Sequence, residues 1–71
     1  MSVAAIGEPE RVAGYGLAGA AVYPASDRES VLAAWDALAE DAELLILSRS
    51  ARVMLASHLD DRLLVWVEVP E

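Results

Sequence analysis

Cysteine and lysine are both missing from the 71 residues, and each absence closes off chemistry. Without cysteine there is neither a disulfide framework nor a thiolate metal site. Without lysine there is no phosphate-loop lysine and no Schiff-base lysine. Positive charge is scarce as well: five arginines face twelve carboxylates, giving a formal net charge of −7. Phosphate neutralisation supplies most nucleic-acid affinity, so nucleic acid and anionic membrane surfaces are disfavoured partners. Long apolar runs are also lacking. Runs such as residues 44–47 and 63–67 are strand-length and none exceeds five residues, far short of the roughly 20 residues of a membrane span. No basic region precedes an apolar stretch, so neither membrane insertion nor a secretory signal is expected, and the sequence reads as cytoplasmic. Its abundant alanine, with arginine in place of lysine, reads as bacterial.

What is present is a high apolar content. Hydrophobic residues make up 56% of a chain long enough for one small domain, residues 1–71. A domain of this size buries only about 60% of its unfolded surface, so apolar burial must supply nearly all the stabilisation. Short apolar runs at residues 3–6, 20–23, 44–47 and 63–69 read as strands, with amphipathic stretches between them. Pro9 fits the first turn of a helix, and Glu8 and Glu10 suit the positive end of its dipole. That helix is expected to reach Ala18 and stop at Gly19. Ser26 and Glu29 form a capping-box pattern before a second helix, which places Val31, Leu32, Trp35, Leu38 and Ala39 inward. Ser48 or Ser50 caps a third helix with Ala51, Met54, Leu55 and Leu59 inward. The order is β-α-β-α-β-α-β. Crossovers of about ten residues and nearly continuous apolar strands give a parallel sheet covered on both faces. The fold class is α/β: a small three-layer flavodoxin-like (Rossmann-like) fold with three helices and strand order 2-1-3-4.

Little in the sequence points to catalysis. Gly14-Tyr15-Gly16-Leu17-Ala18-Gly19 matches the dinucleotide fingerprint by letter. That motif has to follow a strand and open a helix, whereas here it closes a helix. Close packing of the helix, with Gly19 as its C-terminal stop, is the better account. A phospho-receiver site needs an acceptor aspartate after the third strand and a lysine; Ser48 stands in the first place and the second does not exist. His58, the one histidine, lacks neighbours for a triad or a zinc site and reads as a helix-end residue. Glu40, Asp41 and Glu43 cluster at a helix-to-strand junction, and Asp60-Asp61 reads as a solvated turn. Arg49 and Arg52 lie at the carboxyl end of the sheet, where they read as a solvated pair or as groups that meet a partner's carboxylate. No catalytic, cofactor-binding or metal residue is assigned.

Residues 3–8 and 12–19, with Gly7-Glu8 and the Gly14–Gly19 run, resemble the opening of the F-subunit family of the V-type and archaeal-type ATPases. The likeness continues through the acidic stretch 40–43, the strand 44–47 and the close at residues 65–70. It implies a non-catalytic component of a rotary central stalk, seated on a coiled-coil shaft and touching the catalytic ring. Family members continue past the final proline into a C-terminal helical segment, so the resemblance implies a short form. Gly14, Tyr15, Gly16 and Leu17 are the expected partner-binding residues of the first helix. The alternative is a stand-alone small-ligand binder using the carboxyl ends of the strands near Gly7, Ser48 and Arg49.

Counting layers adds a second expected contact surface. Right-handed crossovers put the first helix on one face and the other two on the opposite one, leaving part of one face bare over the last two strands. Alternation sets Leu64, Trp66 and Glu68 against Leu63, Val65, Val67 and Val69. A carboxylate resists burial, so the Glu68 set is expected on the bare face. Leu64 and Trp66 would then form an exposed apolar patch, covered by a second copy in isolation or by a stalk partner in the assembly.

Overall fold

The computed structural model describes residues 2–38, 42–61 and 64–69. Strands and helices alternate as β1 (Ser2–Gly7), α1 (Pro9–Gly16), β2 (Ala21–Pro24), α2 (Arg28–Ala37), β3 (Ala42–Leu47), α3 (Arg49–Met54), a 3-10 turn (Leu59–Asp61) and β4 (Val65–Glu68). Every strand pairing is parallel and the sheet order is β2-β1-β3-β4, a small flavodoxin-like arrangement. Ala39, Glu40, Asp41, Leu63 and Pro70, each given a place by the sequence, lie outside the described residues. No helix among the described residues is long and apolar enough to cross a membrane.

Local sequence sets the helix ends. Pro9 opens α1. The helix stops at Gly16, two residues before the expected end, because Gly19 takes the left-handed conformation at φ 95°. There the Gly19 N–H donates to the Gly16 carbonyl and the Ala20 N–H to the Tyr15 carbonyl, which satisfies the last turn. In α2 the cap is Asp27 rather than Ser26. The Asp27 carboxylate accepts from the Ser30 N–H at 2.8 Å, and Ser30 Oγ accepts in return from the Asp27 N–H. A charged acceptor at a helix N-terminus outcompetes a neutral hydroxyl one residue earlier. The Ser30 bonds also hold the Asp27 carboxyl below its ordinary pKa of 3.8. Ser48 caps α3, accepting from the Ala51 N–H at 3.3 Å.

The register decides which side chains share a face, since partners across parallel strands project to the same side. One face carries the rows Ala4–Leu45–Trp66 and Ile6–Leu47–Glu68, and against it pack α2 and α3. Ile6, Leu45 and Leu47 meet Val31 and Trp35 of α2 and Ala51 and Leu55 of α3 in the main core. The other face carries the rows Val22–Ala5–Ile46–Val67 and Val3–Leu44–Val65. Here α1 packs over β1 and β2, with Val12 and Ala5 both buried. Nothing among the described residues covers β3 and β4 on this side.

The bare half-face therefore exists, but the side chains expected on it do not lie there. Leu64 is half-buried and packs against the main core, on the face that α2 and α3 cover. Trp66 shares the row of Leu45 on that same face and is 38% exposed. The side chains on the bare half are Val65 and Val67, 64% and 44% exposed, beside half-buried Leu44 and Ile46. The physical reason is Arg52. Its guanidinium, projecting from α3, binds the Glu68 carboxylate, so Glu68 sits on the helix side without an unpaired charge.

Candidate functional site

The chain leaves β1 toward β2 on one face and reaches β3 and β4 by crossovers on the other. The carboxyl ends of the adjacent strands β1 and β3 are thus the point where the winding reverses, the place where open α/β sheets take ligands. Gly7 and Glu8 arrive there from β1, and Ser48 and Ser50 from the start of α3. Glu8 is the N-cap residue of α1 yet makes no side-chain bond to its own helix. Instead its Oε1 accepts from Ser50 Oγ at 2.6 Å and from Ser48 Oγ at 2.7 Å. Those two hydroxyl donors, Ser50 above Ser48, hold the Glu8 carboxyl below its ordinary pKa of 4.5.

Gly7 makes this approach sterically feasible. A Cβ on it would lie 2.6 Å from Ser48 Oγ and 3.1 Å from Val12 Cγ1. Ser48 is 2% exposed, and its hydroxyl serves both Glu8 and the α3 cap. Every buried side-chain polar atom among the described residues has a hydrogen-bond partner. A second pair of charges lies one strand further along the same edge, where Glu68 binds Arg52 and stands 4.0 Å from Arg49. The carboxylate that these arginines meet belongs to their own chain. Arg52 is held by that ion pair, while the Arg49 side chain remains 63% exposed.

Chemically, the cluster is a clamp. A carboxylate with a lowered pKa is a poor proton acceptor near neutrality, and both serine hydroxyls already donate to it. His58 lies elsewhere, at the end of the turn after α3, with its ring 6.4 Å from Trp35 and Nδ1 3.9 Å from the Asp61 carboxylate. No group of three or more histidine, cysteine, aspartate or glutamate side chains among the described residues is arranged to hold a metal ion. The sequence placed Gly7 and Ser48 at the carboxyl ends of the strands, but it showed Glu8 only as a helix-dipole residue and Ser50 only as an alternative cap. Their separation of 40 or more positions hid that they meet; the adjoining Gly7 was the one local sign of a close approach.

The expected partner residues of the first helix fall in different places. Gly14 faces open space, with nothing near where a Cβ would be, so no close packing explains it. Gly16 does pack closely: a Cβ there would stand 3.3 Å from Val22 Cγ2 of β2. Tyr15 is half-buried, and Leu17, in the turn after α1, is 94% exposed. Gly14, Gly16 and Gly19 close a helix and lead into β2, the reverse of the phosphate-cradling order. Compared with family models, curated proteins and solved structures, the chain matches none of them.

Proposed function

We propose that this protein is a non-catalytic interaction module whose contact surface is the bare half of the sheet over β3 and β4. The observation that carries this reading is the run of Leu44, Ile46, Val65 and Val67 on a sheet that is otherwise helix-covered, with Val65 64% exposed. Doubly wound sheets are buried on both faces, and a contiguous exposed apolar patch marks a contact site. The polar clamp supports the same reading, because its groups bond to one another rather than point into a cleft. The resemblance of residues 3–8, 12–19 and 65–70 to the F-subunit family extends the proposal to a place on the central stalk of a rotary V/A-type ATPase. The test is size-exclusion chromatography of the full chain mixed with the coiled-coil shaft protein of such an enzyme. Co-elution is expected, and it should be lost with Val67→Glu. If the wild-type chain elutes separately, the stalk assignment is wrong.

One observation favours a second reading, a small-ligand binder: the Glu8–Ser48–Ser50 cluster stands at the reversal of the winding. Calorimetric titration with ATP, ADP and NAD separates the two. Micromolar binding of any of them would support the ligand reading, whereas the interaction reading expects no heat.

A further inference from the structure

The two edges of the sheet differ. At one, β2 ends in Pro24, and proline blunts an edge strand because it has no N–H to offer. At the other, β4 contains neither proline nor lysine and pairs with β3 without a break in register. The hydrogen bonds fix which of its backbone groups are used. The Val69 N–H donates to the Leu47 carbonyl, so in this parallel register the backbone groups of Val65, Val67 and Val69 turn toward β3. Those of Trp66 and Glu68 turn outward, and no strand pairs with them among the described residues. Such a row of donors and acceptors is complemented by an extended strand, not by a helix.

The side chains of this edge match a second copy of it. Because α3 packs on β1 and β3, Trp66 stays 38% exposed although Leu45, in the same row, is fully buried. Consider two β4 strands running antiparallel about a two-fold axis at Trp66. The two Trp66 residues then exchange both backbone bonds, and their rings meet on the helix side of the sheet. On the other side Val65 stands opposite Val67 of the second copy. Glu68, already bound to Arg52, stands opposite Leu64. The two Glu68 carboxylates are about 13 Å apart along the strand, beyond the Debye length of about 8 Å. A two-fold axis at Val67 would instead set each Glu68 against Trp66 and leave the carboxylates only about 7 Å apart along the strand.

We propose that β4 pairs with β4 of a second copy, antiparallel about Trp66, joining two four-stranded sheets into one continuous sheet. This goes beyond the interaction reading, since it uses the edge of β4 and leaves the bare face open. Four residues of strand make a contact well below the roughly 800 Å² per partner of a stable interface, so the dimer is weak and concentration-dependent. Copies of net charge −7 repel one another, so salt strengthens it. The test follows the full chain by sedimentation from low micromolar to about 1 mM, with amide exchange at each concentration. The dimer should grow with concentration and with salt, and the Trp66 and Glu68 amides should slow in step with the dimer fraction. The sequence has no cysteine, so single cysteines report the register. A mixture of Val65→Cys and Val67→Cys should oxidise to a linked dimer of one of each, because opposed residues of a non-hydrogen-bonded pair lie about 4.5 Å apart at Cα. Either variant alone places its cysteines on a diagonal about 8 Å apart, out of disulfide reach, and should link about tenfold less. A chain that stays monomeric up to about 1 mM overturns the inference. So does a dimer whose Trp66 amide exchanges as fast as in the monomer, or equal linking by the single variants and the mixture. A dimer without stalk capture leaves this inference standing and removes the rotary assignment; stalk capture by a chain that never dimerises does the reverse.

Discussion

At Gly7 a single hydrogen in place of a side chain lets two turns of the chain meet. Gly7→Ala would put a methyl group 2.6 Å from Ser48 Oγ and 2.7 Å from Ser48 Cβ, in a buried position with no room to yield. The variant should lose about 1–3 kcal/mol in urea unfolding; an unchanged midpoint would show that the turn relaxes freely. Glu8 makes a prediction in pH. Its folded pKa is lowered by the Ser50 and Ser48 hydroxyls, so as the pH falls the unfolded chain takes up the proton first. The stabilisation is complete above the unfolded pKa and disappears as the pH drops through the folded one. Glu8→Gln should therefore be less stable than wild type at neutral pH, and the two should converge in acid, below 4.5. A difference that stays constant down the pH scale would put the stabilisation elsewhere. None of this was legible residue by residue, because a carboxylate and two hydroxyls 40 positions apart become partners only once β1 and β3 are neighbours.

At the scale of the element, periodicity was enough to locate the four strands and three α-helices among the described residues, since apolar runs of strand length alternate with 3.6-period stretches. The ends of α1 and α2 moved by a residue or two for identifiable reasons, since Asp27 is a stronger cap than Ser26 and Gly19 draws the last turn of α1 into a left-handed stop. The third helix is shorter than expected: α3 ends at Met54, and Leu59 is buried from a separate 3-10 turn. The faces of β4 were not legible. Both of its alternating sets are apolar apart from Glu68, and the burial cost that would have placed Glu68 outside is offset by Arg52, sixteen residues earlier. In α1 the two interior glycines separate cleanly. Gly14→Ala adds a methyl in open space and removes unfolded-state freedom, so it should stabilise by about 0.5–1 kcal/mol, or roughly 2–8 °C in Tm for a domain of this size. Gly16→Val meets Val22 across a gap already at 3.3 Å and should cost about 1–2 kcal/mol. If both shift Tm in the same direction, the packing of α1 on β2 is not what separates them.

For the whole molecule, the question is which side of the last strand is covered, and Trp66 and Val65 decide it as neighbours on opposite faces. Trp66 lies on the row of Leu45, on the side of α2 and α3, and keeps 38% of its surface exposed. A tryptophan buries about 150–250 Å² when fully enclosed; about three-fifths of that, at 25 cal/mol per Å², corresponds to roughly 2–4 kcal/mol. Trp66→Glu also places a second carboxylate two positions from Glu68 on the same face, competing for Arg52. It should destabilise the fold by about 2 kcal/mol or more. Val65, 64% exposed on the bare strip, has little burial to lose. Val65→Glu should stay within about 0.5 kcal/mol of wild type while removing whatever the strip binds. Paired thermal melts of the two variants are the measurement. A stable Trp66→Glu beside an unfolded Val65→Glu would reverse the two faces of β4, and with them the surface on which the interaction reading stands.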